Sequence, residues 1–358
     1  MSVVTSDRDA GADAALDVPR ARWTTFCGVP VRYDRLGSPV GLARALLASR
    51  RRRPTHVYVN TFFAVALSLL PQLLGRLGFW RGATLVVAPR GEFGPWALSS
   101  KATKKRAFLA LYRLTGMHRH VVWHAASSNE AADIRALWGE HARIVVDMPR
   151  SPLPDTALRT APEPSPVVRA VTYGRMTRLK GLDVVLQGLG TLPAGTRLHL
   201  DAYGPPEEPD LLDECEALAA RLPEGVTYRY RGPLQHEEVQ PTLARYDVAL
   251  MGTHGETYGH ALAEVLSVGC PLLVADTTPW TAAVRGGAGL LVAGVSAEAW
   301  GAALREFLGL SAERRAGLRE AAADAFERAQ REERPHLFDL VRDRVGAAPG
   351  HREVAPAH

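Results

Sequence analysis

HGETYGHALAEVLSVGCPLLVADTTPW, residues 254–280, follows the apolar run DVALM (247–251) and carries a second one, PLLVAD (271–276). Between the two runs lie an acidic loop with glycines and an amphipathic helical pattern. The stretch therefore reads as strand, loop, helix and strand, a unit whose ligand end is the carboxyl edge of a parallel sheet. At about 100° per residue, Glu256, His260, Glu264 and Ser267 share one stripe of the helix and its lead-in, opposite Ala261, Leu262, Val265 and Leu266. A polar stripe alone is also what any solvent-facing helix shows. Gly255 and Gly259 add a specific signal, because they bracket the expected first turn and let backbone N–H groups approach a ligand at a positively polarised helix end. A phosphorylated ligand is expected there.

A second unit of this kind lies upstream, in VVRAVTYGRMTRLKGLDVVLQGL (167–189). Its strand is expected to stop at Gly174, with Arg175 and Lys180 close behind and Gly181 opening a helix. Two cations converging on a helix N-terminus suit a diphosphate. Taken singly, they would be ordinary surface residues.

Together these residues resemble glycosyltransferase family 4. The resemblance is carried by two glutamates with seven residues between them in GETYGHALAE, by GCPLLVADTTPW after it, and by the GR and KG pairs at 174–175 and 180–181. It implies an α/β GT-B fold, two Rossmann-like domains with parallel sheets facing across a cleft, and a retaining, nucleotide-sugar-dependent transferase. By resemblance Glu256 contacts donor-sugar hydroxyls, Glu264 holds the ribose, and Arg175 and Lys180 clamp the leaving diphosphate. Gly174, Thr257, Tyr258, Gly259 and His260 complete the donor loops. Gly204, after the strand RLHLDAYG, and Leu234, after VTYRYRG, flank base and ribose. Thr257 and Gly252 depart from the asparagine and proline common in the family. The expected reaction moves a hexosyl group from a nucleotide-diphosphate sugar to a hydroxyl of a saccharide or lipid-linked acceptor, in polysaccharide or glycoconjugate biosynthesis. It needs no cofactor and no metal. A sugar phosphorylase or an epimerase would reuse the same cleft, and a non-catalytic nucleotide-sugar-binding partner subunit derived from a truncated transferase is the alternative from another class.

The totals agree with a globular protein of two domains: 358 residues, 46% hydrophobic and 23% charged. Three scattered cysteines, Cys27, Cys215 and Cys270, fit neither a disulfide framework nor a zinc site, so a reducing, cytoplasmic location is expected. The most apolar run, FFAVALSLLPQLLG (62–75), is too short and too interrupted to span a bilayer, and no signal peptide is read at the start. Net charge is +5, but residues 1–150 hold 22 Lys and Arg against 10 Asp and Glu, leaving 21 against 28 for the rest. Such a split draws the first half toward an anionic surface, a membrane leaflet or a pyrophosphate-linked lipid, and is equally what a well-solvated arginine-rich surface looks like.

Within residues 1–148, the expected N-terminal acceptor-side domain, strand and helix alternate. VVTSDRDAG gives a strand and turn, VPVRYDRL a strand, 40–52 a helix ended by Arg50 to Arg53, then HVYVN and a helix through Leu67 and Leu74. In the resembled family a strand and a glycine-rich loop come ahead of this first strand. The chain shows no counterpart, so the first sheet is expected to lack a central strand, from a start lying upstream or from a truncated protein. Asp7-Arg8-Asp9 matches the acidic triplet of a metal-dependent fold only formally, since it sits in a turn among motifs of a metal-independent one.

TLVVAPRGEFGPWAL ends its strand at Arg90, expected either to meet an anion of donor or acceptor or to pair with Glu92. His124, at the end of VVWHAASSNEAADIR, resembles a motif histidine of the family and equally suits a hydrogen-bonded core position. KATKKRAFLALYRL (101–114) reads as an amphipathic basic helix, packed on the sheet or touching a membrane as a peripheral contact. No aromatic-interleaved basic stretch points to nucleic acid. The Pro-rich segment 149–166 is the expected linker, 167–334 the nucleotide-sugar domain, 335–346 a helix crossing back to the first domain, and 347–358 a disordered tail.

Overall fold

A computed structural model describes residues 1–8, 14–148 and 151–346. The chain divides into two compact units: Met1–Ala126 with Glu130–Asp147 and the segment from Pro335 onward, and Met148–Arg334 with Ser127–Asn129. Asp9 of the formal acidic triplet, the first two residues of the expected linker and the expected tail 347–358 lie outside the described residues.

Among the described residues the first unit holds seven strands in two sheets. β1 (Val3–Ser6), β2 (Trp23–Phe26) and β3 (Val29–Asp34) form one in the order β1-β3-β2, and β4 (His56–Val59), β5 (Thr84–Val87), β6 (Val121–Ala125) and β7 (Ile144–Val146) form a parallel sheet in chain order. β2, which the sequence reading passed over, runs antiparallel to β3 across Cys27-Gly28. Both turn residues have positive φ, 48° and 76°, as a two-residue hairpin matching the strand twist requires. The helices of this unit are α1 (Pro39–Arg51), α2 (Leu70–Arg76), α3 (Pro95–Ser99), α4 (Ala102–Leu114) and α5 (Ser128–Trp138). α1 begins where Ser38 accepts a hydrogen bond from the Gly41 N–H and Pro39 supplies a preset φ, and it ends with Arg50 and Arg51 on the negative pole of the helix. Phe62, Phe93, Tyr112 and Trp123 interlock in an aromatic core on one face of the parallel sheet.

The second unit is one parallel sheet of six strands: β8 (Val168–Tyr173), β9 (Leu198–Tyr203), β10 (Val226–Gly232), β11 (Val248–Met251), β12 (Leu272–Ala275) and β13 (Gly289–Val292). Their order is β10-β9-β8-β11-β12-β13, so the winding reverses between β8 and β11. Interleaved are α6 (Leu182–Leu189), α7 (Pro209–Ala219), α8 (His236–Leu243), α9 (His260–Leu266), α10 (Thr281–Ala283), α11 (Ala297–Leu308) and α12 (Ala312–Arg331). Both faces are covered, which explains the continuous apolar runs. Val168, Ala170, Val248, Leu250 and Leu273 pack to one side, and Val171, Ala249, Met251, Leu272 and Val274 to the other. α13 (Leu337–Gly346) returns to the first unit, where Val341 is buried against Val86, Val122 and Val145.

Candidate functional site

In an open parallel sheet the crevice for a ligand lies beyond the strand ends where the winding reverses. Here that point falls between the loops after β8 and β11, which carry Gly174 to Gly181 and Gly252 to Gly259. Three contacts join the loops. The His254 N–H donates to Leu179 O at 2.9 Å. Gly181 and Gly252 lie backbone to backbone: a Cβ on Gly181 would sit 2.1 Å from Gly252 O, and one on Gly252 2.3 Å from Gly181 O. Lys180 Nζ donates to Glu256 Oε1 in an ion pair whose side chains are only 15% and 10% exposed. Position 252 is therefore glycine for a local reason, since any side chain would meet a carbonyl.

Arg175, the second expected cation, pairs elsewhere, with Nη1 3.0 Å from Glu207 Oε2 on an exposed loop. Gly174 stands between the two lines of the site, as its missing Cβ would lie 3.9 Å from both Lys180 Cε and Ala261 Cβ. Gly204 approaches so closely that a Cβ would fall 1.7 Å from Gly174 O, and the Tyr230 hydroxyl donates to Gly204 O at 2.6 Å. Leu234 packs partly buried beside the core on the α9 side of the sheet.

Glu256 is not on a helical stripe. α9 starts only at His260, with Gly259 as its left-handed N-cap at φ 82°, so Glu256 and Gly255 belong to the loop and Gly255 does not bracket a turn of helix. The positive φ breaks the periodicity that a window reading assumes. Ser267 also leaves the expected polar face: it is buried, donating to Glu264 O at 2.7 Å and accepting from Gln240 at 2.9 Å. Glu264 does lie on the helix, where it accepts a hydrogen bond from the Tyr173 hydroxyl at the end of β8. Burial pushes its carboxyl above the usual range, while the Tyr173 bond and the nearby charge of His236 pull it back. Tyr258 is buried, its carbonyl accepting from Trp280 Nε1 at 2.8 Å and its ring 4.6 Å from His260. Its side chain thus anchors the loop, while Thr257 and His260 stay at least partly exposed.

In the first unit Arg90 does not pair with Glu92. Its Nε donates to Asn60 Oδ1 at 2.7 Å and its Nη2 to the Tyr58 hydroxyl at 2.8 Å, from a left-handed backbone at φ 55°. Glu92 instead receives Thr61 Oγ1 and the N–H groups of Phe62 and Phe63. Tyr58 also lies 2.7 Å from His124 Nδ1, and His124 Nε2 is 2.8 Å from Asp147 O. With Nε2 protonated and donating to that carbonyl, Nδ1 accepts from Tyr58, which is the neutral imidazole. Burial holds His124 below its usual pKa and raises Tyr58 to about 12. Arg90 and His124 are thus linked through Tyr58, a residue sequence reasoning did not single out. Glu130, equally missed, ties the ends of β5 and β6 together by accepting from Gly91 N and Ala126 N, each at 2.7 Å.

Among the described residues no group of three or more His, Cys, Asp or Glu side chains is placed to hold a metal ion, and all three cysteines are free. Asp7 lies 3.6 and 3.7 Å from Arg8 and Arg20.

Residues 160–325 match the family model described as glycosyl transferases group 1. Curated relatives include the D-inositol 3-phosphate glycosyltransferases of Corynebacterium urealyticum, 33% identical over 38% of this chain and 33% of the relative, and of Nocardia farcinica, 32% identical over 44% and 36%. The chain thus spans about a third of the length of the curated relatives it matches. Among solved structures, Anabaena HepE in complex with UDP-glucose superposes with a TM-score of 0.66 at 14% identity, over 89% of this chain and 85% of that one. Sucrose-phosphate synthase from Thermosynechococcus elongatus gives 0.64 at 15%, over 92% and 84%. At such identities the likeness shows the fold. The match to the glycosyl transferases group 1 model falls within the second unit, and the likeness to these structures shows the GT-B fold.

Proposed function

We propose that this chain is a retaining hexosyltransferase, moving a sugar from a nucleotide-diphosphate donor to a hydroxyl of a saccharide or lipid-linked acceptor in polysaccharide or glycoconjugate biosynthesis. The observation that carries the proposal is the Lys180–Glu256 pair at the reversal between β8 and β11, with Glu264 held by Tyr173 beside it. One cation and two carboxylates at that crevice match the needs of a donor with a diphosphate, a sugar and a ribose. Lys180 stabilises charge on the departing diphosphate, joined by Arg175 once it leaves Glu207. Glu256 accepts from sugar hydroxyls and Glu264 from the ribose. As the bond from the anomeric carbon to the phosphate oxygen breaks, the acceptor oxygen bonds to the same face, and its proton passes to the released phosphate. No metal enters this scheme. We assign acceptor recognition to the first unit, where Arg90 and the neutral His124 share Tyr58. HepE, crystallised with UDP-glucose, makes UDP-sugars the first donors to try. The free cysteines suit a reducing, cytoplasmic site of action.

The test is proton NMR of the product formed from a UDP-α-sugar and a panel of saccharide acceptors. An α-linked product supports the reading. A β-linked product overturns retention, and tight donor binding without any transfer favours a nucleotide-sugar-binding subunit.

A further inference from the structure

We propose that the outer face of α4 docks on an anionic lipid bilayer. α4 is amphipathic twice over. Phe108, Leu109 and Tyr112 turn inward, with Lys105 beside them, its ammonium 5.2 Å from the Phe63 ring centroid. On the opposite side Thr103, Ala107, Ala110, Leu111 and Leu114 are exposed, Leu111 at 64% and Leu114 at 85%. At about 100° per residue these five fall within one arc of the helix. Lys104 borders this stripe on one side, and Arg106 and Arg113 border it on the other. Arg76 Nη1 donates to Thr115 O at 2.6 Å, which sets the end of α2, with exposed Leu77, beside the exposed end of α4.

The charges identify the occupant. Not one Asp or Glu occurs between Glu92 and Glu130, a stretch that includes Lys101, Lys104, Lys105, Arg106, Arg113 and Arg119. Lys101, Lys104 and Arg106 are exposed, and their side chains form no hydrogen bond or ion pair among the described residues. An exposed apolar stripe edged by the unpaired side chains of Lys104 and Arg106, with Arg113 held at the Leu137 carbonyl and over the Trp138 ring, is the pattern of a helix lying in a bilayer interface, its leucines in the acyl boundary and its free cations at anionic headgroups. A second copy meeting this face across a two-fold axis would set like charges against each other. An enzyme or binding protein with a soluble ligand gains nothing from such a face, whereas one acting on a lipid-linked molecule is brought to its substrate.

The test is co-sedimentation of the full chain with phosphatidylcholine vesicles, with and without added phosphatidylglycerol, at low and high salt. Binding is expected to phosphatidylglycerol vesicles at low salt and to fall steeply with salt. The double variant Leu111→Ser/Leu114→Ser should lose at least about tenfold in partitioning. Lys104→Gln/Arg106→Gln should lose roughly fivefold per cation removed. Both sets of side chains point to solvent, so unfolding temperatures should stay at the wild-type value. No binding to phosphatidylglycerol vesicles, equal binding to pure phosphatidylcholine, or undiminished binding by both variants would overturn the proposal. So would a dimer in light scattering that the leucine variant dissociates, because the face would then be a contact between copies.

Discussion

Glu256→Gln should separate donor affinity from turnover. In the ligand-free protein the Glu256 carboxylate occupies Lys180, and both side chains are nearly out of solvent. A nucleoside diphosphate must share that ammonium with the carboxylate or displace it. A unit charge at about 4–6 Å, in an effective dielectric of about 20, is felt at roughly 3–4 kcal/mol. Solvent that enters with the ligand, and rearrangement of Lys180, leave about a third of this, so UDP should bind the glutamine variant about tenfold more tightly. The same change weakens the grip on the sugar hydroxyls that positions the anomeric carbon, and turnover should fall about 10²-fold. Calorimetry with UDP gives the first number, and nucleotide release from the UDP-sugar gives the second. If a variant folded as well as wild type bound UDP no more tightly, Glu256 would not be competing for Lys180.

Three further outcomes follow from the geometry. Gly252→Ala places a Cβ 2.3 Å from Gly181 O, and should lower stability by about 1–3 kcal/mol, measured by denaturant unfolding. Glu264 has a folded pKa raised above 4.5, so the folded state holds its proton more tightly than the unfolded one and stability drains away as pH rises from 4.5 through the folded value. Relative to wild type, Glu264→Gln should therefore gain unfolding temperature between pH 4.5 and 7 while losing donor affinity; parallel pH profiles would refute the assignment. Tyr58→Phe removes the hydroxyl shared by Arg90 and His124, and should cost about 1–2 kcal/mol of stability and raise acceptor KM, with acceptor-independent donor hydrolysis unchanged.

The second unit was largely legible in the sequence because its apolar runs are long and end in glycines, as at Gly174, whose φ of 137° favours glycine, and Gly204, where the Gly174 carbonyl leaves no room for a side chain. What it concealed were contacts between distant loops. Lys180 and Glu256, read separately as a clamp and a sugar ligand, are partners across 76 positions, and Tyr173 reaches Glu264 from another strand. No window along the chain contains such pairs. The helical stripe through Glu256 failed for a local reason, since Gly259 at φ 82° ends the regular rotation before the loop begins. In the first unit β2 was missed because Cys27 is an unusual residue for a positive φ in a hairpin turn, so Cys27-Gly28 lacks the familiar asparagine or aspartate signal. Glu92, expected only as a possible partner of Arg90, and Glu130, not singled out at all, both satisfy backbone N–H groups at strand ends. A carboxylate spent in this way has no sequence signature.

The central claim is that Lys180 and its loop serve a nucleotide-sugar donor. The most direct measurement is calorimetry of UDP- and GDP-sugars on the wild-type chain and on Lys180→Ala, with nucleotide release followed in the same samples. The account predicts saturable binding of one donor by wild type and a loss of about 10²-fold or more in turnover for the variant. Folded protein that binds no nucleotide sugar, or a Lys180→Ala variant that turns over as fast as wild type, would contradict it.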